Sequence, residues 1–425
     1  MYDEITLPYG HETRTLSIPA ANLAWVVGPK DVPPLDDVAE AVRAALRSPI
    51  HSPTLAELVA QHGTNTVVMV DDDTRSTPQS MVLPPLLDEL NNAGVPDDDI
   101  NVLIALGTHH PMSEASCLAR YGEEVMARVR VKNLSQNPAD FVDLGVTQRG
   151  VPIQVSRRYV ESDLSIAVGN IVPHMYTGWA GGAKMIQPGV SSALTTSKTH
   201  LMACPHVYEI LGQLDNPVHR EIEEIAIKSE LNFILNVVLN RDGGVVAVVA
   251  GDVVAAHRAG VEIARPIYTV EIGEQPDIVV ASSHPADRDL WQGFKPLNNC
   301  GMLVKDGGTL ILLIPAPEGI APDHHQLVEL GTTPEDEVWE MVERGEVTDG
   351  VAAATYLALV QTRKRVNITL VTDGISNDQA NQIGLTATSD FSAALTAALV
   401  RHGDQARIGV VTHGADIMGR FRPET

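Results

Sequence analysis

The sequence predicts an α/β protein of two α/β domains with open sheets and an interdomain active-site cleft. Three observations carry this reading. Apolar runs at Thr66 to Val70, Ile100 to Leu106 and Leu164 to Val168 read as buried strands, and each ends in polar residues. A second set, Asp277 to Ala281, Thr309 to Ile314, Val366 to Val371 and Arg407 to Thr412, has helical stretches between its members. Between the two sets lies the polar segment Glu271 to Pro276, with Gly273 and Pro276, the residue types of a domain boundary. The expected domains are 1–272, carrying the chemistry, and a smaller 273–425 that closes over it, its last residues free to pack back on the first.

Taken in order, residues 3–30 read as short strands with a hairpin at Pro8-Tyr9-Gly10. Pro33-Pro34 opens a helix over Leu35 to Leu46, since proline suits a first helical turn. The strand at 66–70 runs into Asp71-Asp72-Asp73-Thr74-Arg75, and a helix follows near Pro78 to Asn92. The strand at 100–106 runs into Gly107-Thr108-His109-His110-Pro111. Phe141 to Leu144 and Val151 to Val155 pair as a hairpin around Gln148-Arg149-Gly150. After residue 200 come a helix at Val218 to Lys228, strands at Phe233 to Leu239 and Val245 to Ala250 with a turn at 240–244, and a helix at Val253 to Ala264. In the second domain Asp289 to Lys295 reads as helical and puts Trp291 and Lys295, four apart, on one face. No internal repeat or low-complexity segment interrupts the pattern.

Net charge over the 425 residues is −24, which makes nucleic acid and anionic membranes poor partners. No run is long and apolar enough to span a bilayer, and the acidic Met1-Tyr2-Asp3-Glu4 lacks a signal peptide's basic and apolar regions. A cytoplasmic protein is expected. An anionic substrate would need a locally basic pocket. Cys117, Cys204 and Cys300 are odd in number and far apart, so they read as buried thiols.

The densest chemistry runs from Gly169 through His174, Gly181-Gly182, Lys184 and Pro188-Gly189 to His200. Ligands of open α/β sheets lie beyond the carboxyl ends of the strands. Polar residues at the ends of three strands, Arg75, His109 and His174 among them, are therefore drawn to one place. Histidines near neutral pKa can take and return a proton. A lysine on a glycine loop is a phosphate partner or, if desolvated, a nucleophile. The Gly-x4-Gly-Lys-Ser/Thr of a nucleotide loop is absent. Arg75 can grip a carboxylate through two parallel bonds, although a salt bridge to Asp71 or Asp73 is its simpler role.

The pattern His174-x9-Lys184-x15-His200, with Asp72-x-Thr74-Arg75, Gly107-x-His109 and Trp291-Gln292-x2-Lys295, resembles the nickel-dependent lactate racemase family. The four motifs fall in the right order along most of the chain. The resemblance implies a racemase or epimerase of 2-hydroxy acids that moves the hydrogen of the carboxylate-bearing carbon's neighbour as hydride, through a 2-keto acid. It implies a nickel-pincer nucleotide (pyridinium-3,5-bisthiocarboxylic acid mononucleotide nickel) bound covalently at Lys184, with His200 as nickel ligand. His109 and His174 are then the acid/base pair, Asp72 and Thr74 support the cofactor or site, and Arg75, Gln292, Lys295 and Trp291 bind substrate. Other proteins would have to make the cofactor and insert the nickel.

Two departures from the family stand out. His110 occupies the place of an arginine, and 350–356, Gly-Val-Ala-Ala-Ala-Thr-Tyr, has no tryptophan where lactate racemases carry one. Small residues there leave room for a larger substrate. His284, Asp287 and Arg288, beside the Trp291 segment, are candidates for reading further polar groups. Three other readings compete: a zinc hydrolase using His109, His174 and His200, a Schiff-base enzyme using Lys184, and a two-domain carboxylate-binding clamp. The zinc reading lacks His-Glu-x-x-His.

Overall fold

The computed structural model describes residues 1–421. Its first sheet has six strands, in the order Val245–Gly251, Phe233–Leu239, Leu164–Asn170, Thr66–Val70, Ile100–Ile104, Arg130–Asn133. All neighbours are parallel except the first pair. The unbroken apolar runs have a direct cause. Helices cover both faces of a parallel sheet, so every residue of Thr66–Val70 and Leu164–Asn170 is buried.

The chain extends this sheet in one direction, from Thr66–Val70 to Ile100–Ile104 to Arg130–Asn133. It then returns to the other side with Leu164–Asn170. Connections therefore diverge beyond the carboxyl ends of Thr66–Val70 and Leu164–Asn170, which opens a crevice there. The segments 71–75 and 171–189 leave the sheet at that crevice, and 107–109 leaves the adjoining strand.

The second sheet repeats the device. Its order is Thr386–Thr388, Asn367–Val371, Thr309–Leu313, Ile278–Ser282, Ile408–Val411, Leu23–Val27, all parallel. Its outermost strand comes from the amino terminus. Residues 3–30 were expected within the 1–272 domain; the structure instead seats them on the second sheet. The hairpin of Tyr2–Tyr9 with Glu12–Pro19 packs Leu7, Tyr9, Leu16 and Ile18 into one core with Ile278, Val280, Ile311 and Leu313. The physical reason is an exposed face and an open edge beside Ile408–Val411, which these residues cover. At the other end Met418–Phe421 pairs with Thr269–Ile272, and Met418 packs with Ile171 and Trp179 of the first half. The chain thus passes between the halves at 28–37, 273–277 and 412–417.

The helix Leu290–Gly301 faces the first half across the cleft. Asp289 caps it by accepting the Gln292 N–H at 2.7 Å. Gly293 is required because a Cβ there would lie 2.4 Å from Ile314, so the helix rides close on the sheet. The helix Ala193–Ala203 is capped by Ser192, and Gly350–Arg365 by Asp349. Among the described residues no helix is long and apolar enough to cross a membrane, and the three cysteines are buried free thiols.

If the amino-terminal hairpin is integral to the second core, Leu7→Ala and Ile18→Ala, both 0% exposed, should each cost about 2–5 kcal/mol. The midpoint of urea unfolding measures this. Midpoints unchanged from wild type would show the hairpin to be a dispensable appendage.

Candidate active site in the cleft between the sheets

Asp72, Arg75, His109, His174, Lys184, His200, Trp291, Gln292 and Lys295 line a single cleft. Thr74 stands at its mouth, with His110 and Arg288. The space enclosed in the cleft is about 110 Å³, small beside the roughly 300–1,000 Å³ of typical small-molecule sites.

Asp72 ends the strand Thr66–Val70 and organises the base. Its Oδ2 meets Nδ1 of His109 at 2.6 Å, and its Oδ1 accepts the Thr74 N–H at 2.9 Å and the Thr74 hydroxyl. Burial opposes the charge on Asp72. The His109 ring, Arg75 and the Thr74 hydroxyl outweigh it and hold the carboxyl well below the usual carboxylate range. His109 is pushed down by burial, partly offset by Asp72. An ionised carboxylate takes the Nδ1 proton, so the neutral ring keeps its lone pair on Nε2. This is the orienting logic of a base held by a carboxylate.

His174 is presented the other way round. Its Nδ1 accepts the backbone N–H of Tyr176 at 3.2 Å, so the neutral ring carries its proton on Nε2. Burial, then Lys184 and Lys295, drive its pKa well below the histidine norm.

The loop between His174 and Lys184 is packed against protein. Gly181 and Gly182 have φ of +82° and +54°. A Cβ on Gly182 would lie 2.7 Å from the His257 ring, and one on Gly181 3.0 Å from Asn170 and Asn236. These glycines let the loop seat on its own supports, and Gly181 also lines the cleft. His257 Nε2–H donates to the Ala180 carbonyl and His219 Nδ1–H to that of Thr177, both at 2.9 Å, with the two rings stacked at 5.4 Å. Asn236 accepts the Gly182 N–H at 2.8 Å. Sequence reading missed all three. Their only signal was polarity inside apolar elements: Asn236 sits mid-strand in Phe233–Leu239, and His219 and His257 lie on buried helix faces.

Lys184 is buried, and burial, then Arg75 and Lys295, drive its pKa well below the lysine norm. Among the described residues its side chain makes no salt bridge and no hydrogen bond. A neutral amine is a nucleophile. His200 donates Nδ1–H to the Thr196 carbonyl at 2.9 Å, which leaves Nε2 as the free donor atom. Burial, then Lys184, push its pKa down to about 3. A neutral ring whose other nitrogen is tied to a carbonyl is how metal-ligating histidines are prepared.

Arg75 escapes its simpler role. Asp71 is taken by Arg120 at 2.6 Å, with Thr77 and Gln79, and Asp73 by Arg288 at 3.1 Å. Arg75 instead donates to Thr74 Oγ1 at 2.7 Å and to Gln292 Oε1 at 3.4 Å across the cleft. Lys295 donates to the same Gln292 oxygen at 3.5 Å. Burial and Arg75 lower Lys295 to about 7, while burial raises the nearby Asp416. Trp291 stacks on His324, centroids 3.9 Å apart, while lining the cleft.

The remaining candidates divide. Val351 and Thr355 of the small-residue helix do line the cleft. His284 and Asp287 pair with each other at 2.8 Å and do not line it. His110 is exposed and faces Asp323 at 3.3 Å. Among the described residues no three His, Cys, Asp or Glu side chains gather as a metal site. A zinc centre built from His109, His174 and His200 is thus not formed. A metal here would need donors that come with a cofactor. The residues present fit a nickel-pincer nucleotide on those grounds, since a buried unpaired amine and one free imidazole nitrogen share the cavity.

Known proteins resemble this chain over nearly its whole length. The family described as "Lactate racemase N-terminal domain" matches residues 9–211, and "Lactate racemase C-terminal domain" matches 272–418. The chain is 28% identical to a lactate racemase of Thermoanaerobacterium thermosaccharolyticum, over 98% of this chain and 99% of the relative. It is 26% identical to a lactate racemase of Lactiplantibacillus plantarum, over 97% and 99%. The structure of the lactate racemase apoprotein from T. thermosaccharolyticum superposes with a TM-score of 0.87 at 26% identity, covering 98% of this chain and 100% of that one. A Thermotoga maritima protein shares the fold, with a TM-score of 0.71 at 21% identity over 92% of this chain and 100% of that one. Two domain matches that together take in most of the sequence, relatives aligned end to end, and an α/β architecture in common lead to one conclusion: this chain belongs to the lactate racemase family, a family of isomerases.

Proposed function

We propose that this chain racemises or epimerises a 2-hydroxy acid at the carbon beside its carboxylate, using a nickel-pincer nucleotide tethered at Lys184. The observation that carries the proposal is the buried, unpaired amine of Lys184, its pKa lowered by burial, sharing a cavity with the free Nε2 of His200. The Lys184 amine would hold the cofactor through an amide-like link, and His200 Nε2 would supply a nitrogen ligand to its nickel. When bound, that cofactor supplies a hydride acceptor and donor. This avoids removing a proton from a carbon that ordinary side-chain bases cannot ionise.

The chain's own residues do the rest. Arg75 grips the substrate carboxylate, with Lys295 and Gln292 reaching it from the second half. His109 takes the hydroxyl proton at Nε2, and Asp72 stabilises the imidazolium that results. His174 meets the oxygen on the other side as the partner acid/base. The two are not equivalent. To accept a proton at Nε2, His174 must first move its own to Nδ1, which costs the hydrogen bond from Tyr176 N–H. Supply of the cofactor and its nickel falls to other proteins.

A Schiff-base enzyme would use the same amine, so the test is covalent. Reconstitution with the nickel cofactor should add its mass to the peptide holding Lys184, and Lys184→Ala should abolish the adduct. His200→Ala should retain the adduct while nickel content falls. An unmodified Lys184 peptide after reconstitution refutes the proposal; borohydride trapping of substrate there would favour the imine.

The pH profile gives a second test. His109 must be neutral to act, and its pKa lies below the usual ~6.5, so kcat/KM should fall only as pH drops beneath that value. Lys295 must be charged to attract a carboxylate. Its pKa near 7 predicts a loss of kcat/KM as pH rises through that value. Lys295→Arg should remove the alkaline limb. An alkaline limb that stays in place in that variant would show that Lys295 is not the group titrating.

Mutation of Arg75 gives a third. Arg75→Lys removes the forked grip and should lower kcat/KM by about 10- to 100-fold for a 2-hydroxy acid, the scale of one or two charge-assisted hydrogen bonds. Unchanged kinetics would place the carboxylate elsewhere.

A further inference from the structure

One cluster that spans the cleft has no part in the roles above. His324, 4% exposed, belongs to the second half. Its Nδ1 meets Asp349 Oδ2 at 2.7 Å, and its Nε2 meets Thr108 Oγ1, in the first half, at 3.2 Å. Its ring lies flat on Trp291 at an interplanar angle of 20°. One residue earlier, Asp323 faces His110. The segments 108–110 and 323–324 are therefore apposed, side chain to side chain, with His109 between two of the contacts.

The protons can be placed. The other oxygen of Asp349 accepts the N–H groups of Val351 and Ala352 at 3.0 and 2.9 Å. Burial opposes the charge on Asp349, but His324 and these N–H groups hold its carboxyl below the usual range. The ionised carboxylate accepts Nδ1–H from His324, which in the neutral ring leaves Nε2 as an acceptor. The Thr108 hydroxyl then donates to it. Each contact reaches a different working part. Thr108 is the residue before His109. Trp291 precedes Gln292 on the helix that also carries Lys295. Asp349 caps the helix whose Val351 and Thr355 line the cleft.

We infer that His324 is a positioning residue: by bonding Thr108 across the cleft while held by Asp349 and stacked on Trp291, it sets the closed arrangement in which His109 and the carboxylate-binding helix face one substrate. The inference rests on the proposed racemase reading for its kinetic consequence alone; the closure itself does not depend on it. The geometry makes the contact specific to the closed cleft, since Thr108 belongs to the first sheet and Asp349 and Trp291 to the second half. A neutral hydrogen bond of this kind shifts an opening equilibrium by about five- to tenfold.

Three variants test it on the full-length chain. Thr108→Val removes the hydroxyl without changing shape. His324→Asn keeps an amide near Nδ1, for Asp349, but cannot reach Thr108. His324→Gln puts an amide near Nε2 and can. In hydrogen-exchange mass spectrometry on the unloaded protein, Thr108→Val and His324→Asn should speed exchange in peptides spanning 106–110 and 290–295 by about fivefold or more, with the strand peptides at 66–70 and 164–170 unchanged. On the cofactor-loaded enzyme each should lower kcat/KM by about tenfold, the double variant should be no worse than either single one, and His324→Gln should recover part of the loss. Unchanged exchange at 106–110 and 290–295 overturns the inference, as do losses that multiply in the double variant. If the wild-type loaded enzyme turns over no 2-hydroxy acid, the racemase reading fails while the exchange measurement still decides the role of His324. Should His324→Asn fold poorly, Thr108→Val carries the same comparison.

Discussion

Exclusion of water from the cleft is the constraint on which the rest of this molecule depends. Burial is the largest influence on His109, His174, Lys184, His200 and Lys295, and in each it favours the neutral form. An exposed lysine at neutral pH is protonated; for Lys184, burial and the Arg75 charge shift the balance toward the neutral amine. An exposed histidine is an indifferent base; enclosed and tied at one nitrogen, it presents a defined lone pair or a defined N–H. The site's reactivity is thus a property of its walls as much as of its residues.

Those walls exist because both sheets reverse their winding. The first sheet diverges at the ends of Thr66–Val70 and Leu164–Asn170, the second between Ile278–Ser282 and Ile408–Val411. The first crevice gathers Asp72, His109 and the loop to Lys184; the helix Leu290–Gly301, which follows the strand Ile278–Ser282, brings Trp291, Gln292 and Lys295 to face it. Neither half alone holds both the base and the full carboxylate grip. The chain passes between the halves at three separate places, so movement of one against the other is confined to opening and closing over this site. Such closure would shield whatever is bound in the cleft from solvent.

Much of this was legible in the residues. The strands at 66–70, 100–104 and 164–170 announced themselves as continuous apolar runs, and the rule that ligands sit beyond carboxyl ends brought Arg75, His109 and His174 together without any appeal to kinship. What was not legible is what depends on distant partners. Nothing local in Leu23–Val27 says that it pairs with Ile408–Val411, nearly the whole chain away. His219 and His257 read as ordinary helix residues, because the carbonyls they serve belong to a loop on another element. The glycines at 181 and 182 suggested room for a ligand, whereas the space beside Gly182 is filled by His257. His324 lies in a Pro-rich loop with no periodic pattern, and only the folded chain sets it against Thr108.

The acidity of the chain sharpens the case for Arg75. With a net charge of −24, and with Asp71, Asp72 and Asp73 directly before it, a guanidinium at position 75 has every opportunity to be captured by its own neighbours. Each aspartate is instead committed elsewhere: Asp71 to Arg120, Asp72 to His109 and Thr74, Asp73 to Arg288. Arg120 and Arg288 thus occupy two carboxylates that could otherwise pair with Arg75, although neither lines the main cavity. This leaves the Arg75 fork facing the cleft. In such a pocket a carboxylate brought by the substrate meets little competition, and an interaction that is weak at the protein surface gains strength. A protein carrying so large an excess of acid can bind an acid because its own acids near the site are already occupied.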